Sequence, residues 1–211
     1  MKKLLFFLIV VLCALMAFGV YERYTEDPTA TITELLTGEK QPPQELTEKG
    51  SPYKFYYNDL KDQEKRAYNA ILSEIYDMPE SIMIPRIDAI QLDNVFWAIL
   101  CDNPDLFFIG RSCELMTSAW GTSCSFEYSI EKSEYETMKA ALDEVCNEVV
   151  SSFTNPEDQW QTELEIHDYI VENCQYGMVD GDYLCSSAYG ALVDGTAACE
   201  GYSKAAKLLL D

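Results

Sequence analysis

A chain of 211 residues that is 48% hydrophobic and 24% charged has enough apolar side chains to bury one or two cores, which excludes a disordered polymer. Its 36 acidic against 15 basic residues give a formal net charge of −21. That balance, without a basic patch, excludes nucleic acid and anionic headgroups as partners of the bulk surface, because both need Lys and Arg to neutralise phosphate.

In chain order, the first element is an apolar run. Lys2 and Lys3 precede Leu4–Tyr21, 18 residues without a charge. As a helix rising about 1.5 Å per residue the run is about 27 Å long, enough for a bilayer core. The two lysines hold the N-terminus inside and direct the rest outside. Residues 1–21 therefore read as a signal peptide, with Ala17-Phe18-Gly19 as a cleavage site, or as an uncleaved transmembrane anchor. The protein is expected at the cell membrane with its domain outside, or secreted. Cys13 is a poor lipoprotein cysteine, because Leu12 before it is large.

Residues 22–52 are rich in Thr, Glu and Pro and read as a linker. Order is expected from Tyr53. Tyr68, Ile71, Leu72, Ile75 and Tyr76 form the apolar stripe of a helix over 61–78. A second helix over 88–101 turns Val95, Phe96, Ile99 and Leu100 inward and stops at Asn103-Pro104. Residues 105–110 read as a buried strand, and 113–120 and 122–130 as two more, split at Gly121. Together they predict a small antiparallel sheet.

A long helix follows over 132–153, with Tyr135, Met138, Leu142, Val145, Cys146, Val149, Val150 and Phe153 on one face. The next, over 156–176, carries Trp160, Leu164, His167, Ile170, Val171 and Cys174. A loop over 174–187, a short segment, the Asp194-Gly195 turn and a last helix near Ala198 complete the chain. The fold class is α+β, mainly helical with a small antiparallel sheet. The organisation is a linker at 22–52, a helical and small-sheet region at 53–153 and a C-terminal unit at 154–211.

Export changes how the eight cysteines read. Outside the membrane they suggest disulfides. Cys113 with Cys124 and Cys174 with Cys185 are the pairs that local spacing favours, leaving Cys101 and Cys146. There is no CxxC pair, and the single His gives no Cys/His zinc pattern, so no metal or cofactor is expected. Asp180, Asp182 and Asp194 read as turn residues. Trp97, Trp120 and Trp160 fit core stripes or strand positions. Tyr189 and Tyr202 flank Cys199, as groove lining or as helix packing.

The clearest site signal is the stretch 187–205, in which a turn delivers Cys199 onto the first turn of a helix. Unpaired N–H groups and the helix dipole there favour a thiolate and can hold an oxyanion. Ala197, Ala198 and Gly201 leave room for a substrate backbone. On spacing alone a structural or disulfide-bonded cysteine is an equal reading. His167 lies mid-stripe and reads as a packed, hydrogen-bonded helix histidine.

Residues 188–205, AYGALVDGTAACEGYSKA, resemble the nucleophile segment of bacterial transglutaminase-like proteins. The helix Glu165-Ile166-His167-Asp168-Tyr169-Ile170-Val171-Glu172-Asn173 is similar to theirs, as are Asp62-Gln63-Glu64-Lys65 and Asn103-Pro104-Asp105-Leu106-Phe107. The resemblance implies that Cys199 is the catalytic nucleophile of a Cys-His-Asp triad on a papain-like fold, of which 154–211 would be the N-terminal part. It also implies that the triad His and Asp follow the Cys. The chain stops at Asp211, so the expectation is a product truncated after its nucleophile, with the last helix incompletely packed and Leu208, Leu209 and Leu210 exposed.

The expected function is thiol-based hydrolysis or acyl transfer at amide bonds of a peptide or protein substrate by the complete exported protein; with its triad incomplete, this chain alone is expected to be inactive. Protease, amidase and crosslinking activity remain open, as does oligomeric state. The alternative is a non-catalytic extracellular binding or structural module stabilised by disulfides.

Overall fold

A computed structural model describes residues 53–118, 121–178 and 183–211. Helix α1 (Phe55–Asp59) leads into α2 (Asp62–Glu74), a 3-10 turn, strand β1 (Ile82–Ile84) and α3 (Ala89–Asp102). Strands β2 (Ile109–Ser118) and β3 (Gly121–Tyr128) form a hairpin, followed by α4 (Lys132–Ser151) and α5 (Gln159–Asn173). The C-terminal part holds β4 (Gln175–Tyr176), a 3-10 turn (Tyr183–Ser186), α6 (Ala188–Leu192), β5 (Thr196–Ala197) and α7 (Cys199–Leu210). The architecture is mainly helical with a small antiparallel sheet, which is the α+β class.

Helix α3 starts where its sequence provides a reciprocal cap. Asp88 Oδ1 accepts from Gln91 N at 2.8 Å, and Gln91 Oε1 accepts from Asp88 N at 3.0 Å. Its end is polar and buried: Asn103 Nδ2 donates to Tyr68 Oη and to Ile99 O, both at 2.8 Å. Fully buried Asp102 accepts from the backbone N–H of Tyr56 and Tyr57 at 3.1 and 2.7 Å, which seats α1. Between these caps Tyr68, Ile71, Leu72 and Ile75 of the α2 segment join Val95, Phe96 and Ile99 of α3 in one core.

The sheet order is β1-β3-β2, with Leu115 opposite Cys124 and Ile82 opposite Cys124 on the other edge. The buried strand expected over 105–110 is mostly turn. Leu106 N donates to Asn103 O, and Ile109 N to Leu106 O, so pairing begins only at Ile109. The reason is aromatic packing: Phe107 stacks on Tyr189 at 5.1 Å and Phe108 meets Tyr135 edge-on at 4.9 Å. A short apolar run is buried equally well by such a cluster as by a ladder.

The disulfide expectation is corrected. Cys101, Cys113, Cys124, Cys146, Cys174, Cys185 and Cys199 are all free thiols. Cys113 faces Phe126 and Cys124 faces Leu115, so the two cysteines lie diagonally across the hairpin rather than opposite one another. Burial pushes the Cys124 thiol up to about 12 and the Cys113 and Cys146 thiols up to about 11, which keeps them protonated. The Cys174 thiol instead donates to Gln175 O at 3.7 Å.

The transmembrane expectation is corrected for the part of the chain described: no helix among these residues is long and apolar enough to cross a membrane. The run Leu4–Tyr21, which carried that expectation, lies outside the described residues, as do Cys13, the 22–52 linker and Trp120. Trp97 and Trp160 are corrected too. They are 52% and 74% exposed, so neither belongs to the core.

Candidate functional site around Cys199

Helix α5 ends at Asn173, and the chain runs out through β4. Strand β5 lies parallel to it, with Gln175 beside Thr196 and Tyr176 beside Ala197. Gln175 N donates to Gly195 O at 2.9 Å and Gly177 N to Ala197 O at 3.0 Å. Gly195 makes the turn into β5 at φ +66°, the left-handed region that costs glycine nothing. Three residues later Ala198 is extended, its N–H donates to Cys185 O at 2.8 Å, and α7 begins at Cys199.

The underside of this turn is packed backbone to backbone. A Cβ on Gly201 would sit 2.7 Å from Cys185 O and 2.9 Å from Ser187 O, and one on Gly190 only 2.2 Å from Leu184 O. Both glycines let α6 and α7 press directly onto the Tyr183–Ser186 turn. Tyr202 Oη donates to Cys174 O at 2.6 Å, tying α7 to the end of α5. Ala205 and Leu209 are buried beneath the helix. The leucine expectation is thereby corrected: Leu209 is core, Leu208 packs partly against it, and only Leu210 is markedly exposed.

Above this floor Cys199 is exposed, while every other described cysteine is buried or half-buried. No side chain at Ala198 caps the helix, whose first turn begins at the thiol. Glu200 occupies the first turn and Lys207 the last, as the helix dipole favours. Ser203 Oγ donates to Cys199 O at 3.0 Å.

His167 is not the packed residue that its position in the stripe suggests. Its side chain is 68% exposed, and Nδ1 lies 3.0 Å from Asp168 Oδ1 on the same helix. The structure therefore brings His167 to Asp168 and not to Cys199. With Ile166, Ile170, Val171 and Leu210 it lines an open groove of about 360 Å³ between α5 and α7. The physical reason is that α5 buries Ile170 together with Ile166, which lies outside the expected stripe, leaving Leu164 and Val171 in solvent.

Of the flanking aromatics, Tyr189 stacks on Phe107, while Tyr202 both holds the Cys174 carbonyl and lines the groove beside His167. Asp194 follows α6 in the turn, its N–H on Tyr189 O; Asp180 and Asp182 lie outside the described residues. Among the described residues no cluster of three or more His, Cys, Asp or Glu side chains is placed to hold a metal ion.

Sequence reasoning missed Arg111. It leaves β2, donates from Nη2 to Ser186 Oγ at 2.5 Å, and lies 3.9 Å from Glu200 Oε2. No sequence pattern announces a contact across 75 positions. No protein-family model matches this chain and no curated protein matches its sequence, so the transglutaminase-like identity has no support from relatives and rests on the residues themselves.

Proposed function

We propose that Cys199 is the nucleophile of a thiol-dependent acyl-transfer or hydrolysis reaction on amide bonds of a peptide or protein. One observation carries this reading: the one exposed thiol among the described residues is the first residue of a 12-residue helix whose N-terminus no side chain caps. The N–H groups of a helix start can hold the oxyanion that forms when sulfur attacks a carbonyl. In the reaction the thiolate sulfur bonds to the carbonyl carbon, and the C–N bond then breaks. The amine departs with a proton from a general acid, and the thioester passes to water or to a second amine. The likeness of residues 188–205 to transglutaminase-like nucleophile segments supports the same assignment and implies an imidazole as that acid.

The test is chemical. Limiting iodoacetamide on the folded protein should label Cys199 about tenfold faster than any other cysteine. In the full-length protein, amide turnover should vanish in Cys199→Ala. Even labelling over all cysteines, or turnover that survives the substitution, would sink the assignment.

A second reading has its own observation. Since His167 pairs with Asp168 rather than Cys199, a non-catalytic binding module is also consistent with the site. Selective labelling of Cys199 without turnover in the full-length protein would favour it.

A further inference from the structure

Acidic residues outnumber basic ones 36 to 15 along the chain, so the bulk surface receives cationic groups best. The surroundings of Cys199 are arranged the other way. Glu200, its neighbour, is held from two sides: Lys204 Nζ is 2.9 Å from Oε1 and Arg111 Nη2 is 3.9 Å from Oε2. The Lys204 side chain is only 16% exposed and sits one turn along the same helix, so its charge is committed to this carboxylate. Arg111 is fixed by a different contact, the 2.5 Å hydrogen bond to buried Ser186, next to the Cys185 carbonyl that holds the Ala198 N–H. One of the five guanidinium donors is used there, and the side chain remains 56% exposed.

The other charged groups nearby are engaged elsewhere. Asp102 is fully buried with its oxygens on the Tyr56 and Tyr57 N–H groups. Lys207 reaches Tyr53 O and Asp211 at the far end of α7, and His167 faces Asp168. Among the described residues, two cations and one anion therefore meet at Glu200, the residue next to the exposed thiol.

Resting on the assignment of Cys199 as nucleophile, we propose that Arg111 determines substrate charge. With Lys204 it offsets Glu200, so the thiol accepts acyl donors that are neutral or carry a carboxylate next to the attacked amide. Donors with a flanking Lys or Arg are disfavoured.

Two alkylating probes of like size separate this role from a structural one: neutral iodoacetamide and anionic iodoacetate, with Cys199 modification in the full chain followed by peptide mass spectrometry. Arg111→Gln keeps a donor for Ser186 and removes the charge. It should lower the iodoacetate-to-iodoacetamide rate ratio about threefold, the size expected of one unit charge several ångströms away in a wet environment. Arg111→Lys should hold the ratio near wild type. Glu200→Gln should raise it, both alone and in the Arg111→Gln background. If Arg111→Gln slows both reagents equally and Glu200→Gln leaves the ratio unmoved, the role is structural and the proposal falls. Should Arg111→Gln fail to fold, Glu200→Gln alone decides by the same ratio. Failure of the nucleophile assignment looks different: iodoacetamide then shows no preference for Cys199 in any variant.

Discussion

Between Tyr57 and Tyr135 the chain is held by bulk. Tyr68, Phe96, Phe107, Phe108 and the isoleucines of α2, β1 and α3 fill a single core whose rings meet at 4.9 to 6.3 Å. Beyond Gln159 the chain is held by proximity. Its buried residues are mostly small, alanines, cysteines, serines and glycines, with Ile166, Ile170, Leu192 and Leu209 as the larger contributors. Its elements touch through carbonyls that a single methyl group would displace. Two ways of making a stable fold thus sit in one chain. The first loses most when a side chain shrinks and the second when one grows, and the exposed thiol lies on the second.

Substitutions of opposite sense would break or sharpen that contrast. The largest effect is expected from Phe108→Ala, which empties a fully buried ring site and should cost about 4 kcal/mol in urea unfolding. Next comes Gly190→Ala, whose methyl group meets the Leu184 carbonyl at 2.2 Å. It should cost about 3 kcal/mol, with faster hydrogen exchange in α6 and α7 than in α3. If Gly190→Ala were neutral, the account of the C-terminal packing would be wrong. Tyr202→Phe deletes one hydrogen bond and leaves a carbonyl unpaired. It should lower stability less than Gly190→Ala does and loosen α7 without disturbing the sheet, seen as faster hydrogen exchange in α7 alone.

The smallest effect is a pH slope. Burial holds the Asp105 carboxyl above the ordinary carboxylate range, against the Tyr76 hydroxyl that donates to it at 2.7 Å. A folded value above the unfolded one means that the native state binds the extra proton. This group's contribution therefore rises as pH falls from above its folded pKa towards the ordinary value of 3.8. Asp105→Asn should flatten that part of the stability curve, and an unchanged slope would rule the contribution out.

The same contrast explains what could be read from sequence. Helix α3, with its Asp88 and Gln91 cap and its 3.6-residue stripe, was legible to within a residue, as was the start of α4 at Lys132. So was the place of Cys199 at a helix start, because turn residues and small side chains precede it. Helix α5 starts three residues later than its stripe suggests, since Asp158 rather than Pro156 supplies the cap, accepting from Gln161 N at 3.2 Å. Strand β1 and helix α1 are too short to show a period. Arg111 was illegible because its meaning lies in Ser186 and Glu200, which only the fold brings near.

The frame that sets Cys199 in place is written almost wholly in main-chain atoms: the carbonyls of Cys174, Cys185, Gly195 and Ala197, and the N–H groups of Gln175, Gly177 and Ala198. Such a frame constrains side chains mainly where they would meet a packed carbonyl, as at Gly190 and Gly201. The Cys199 side chain is exposed, so a substitution there should leave the turn and the helix in place.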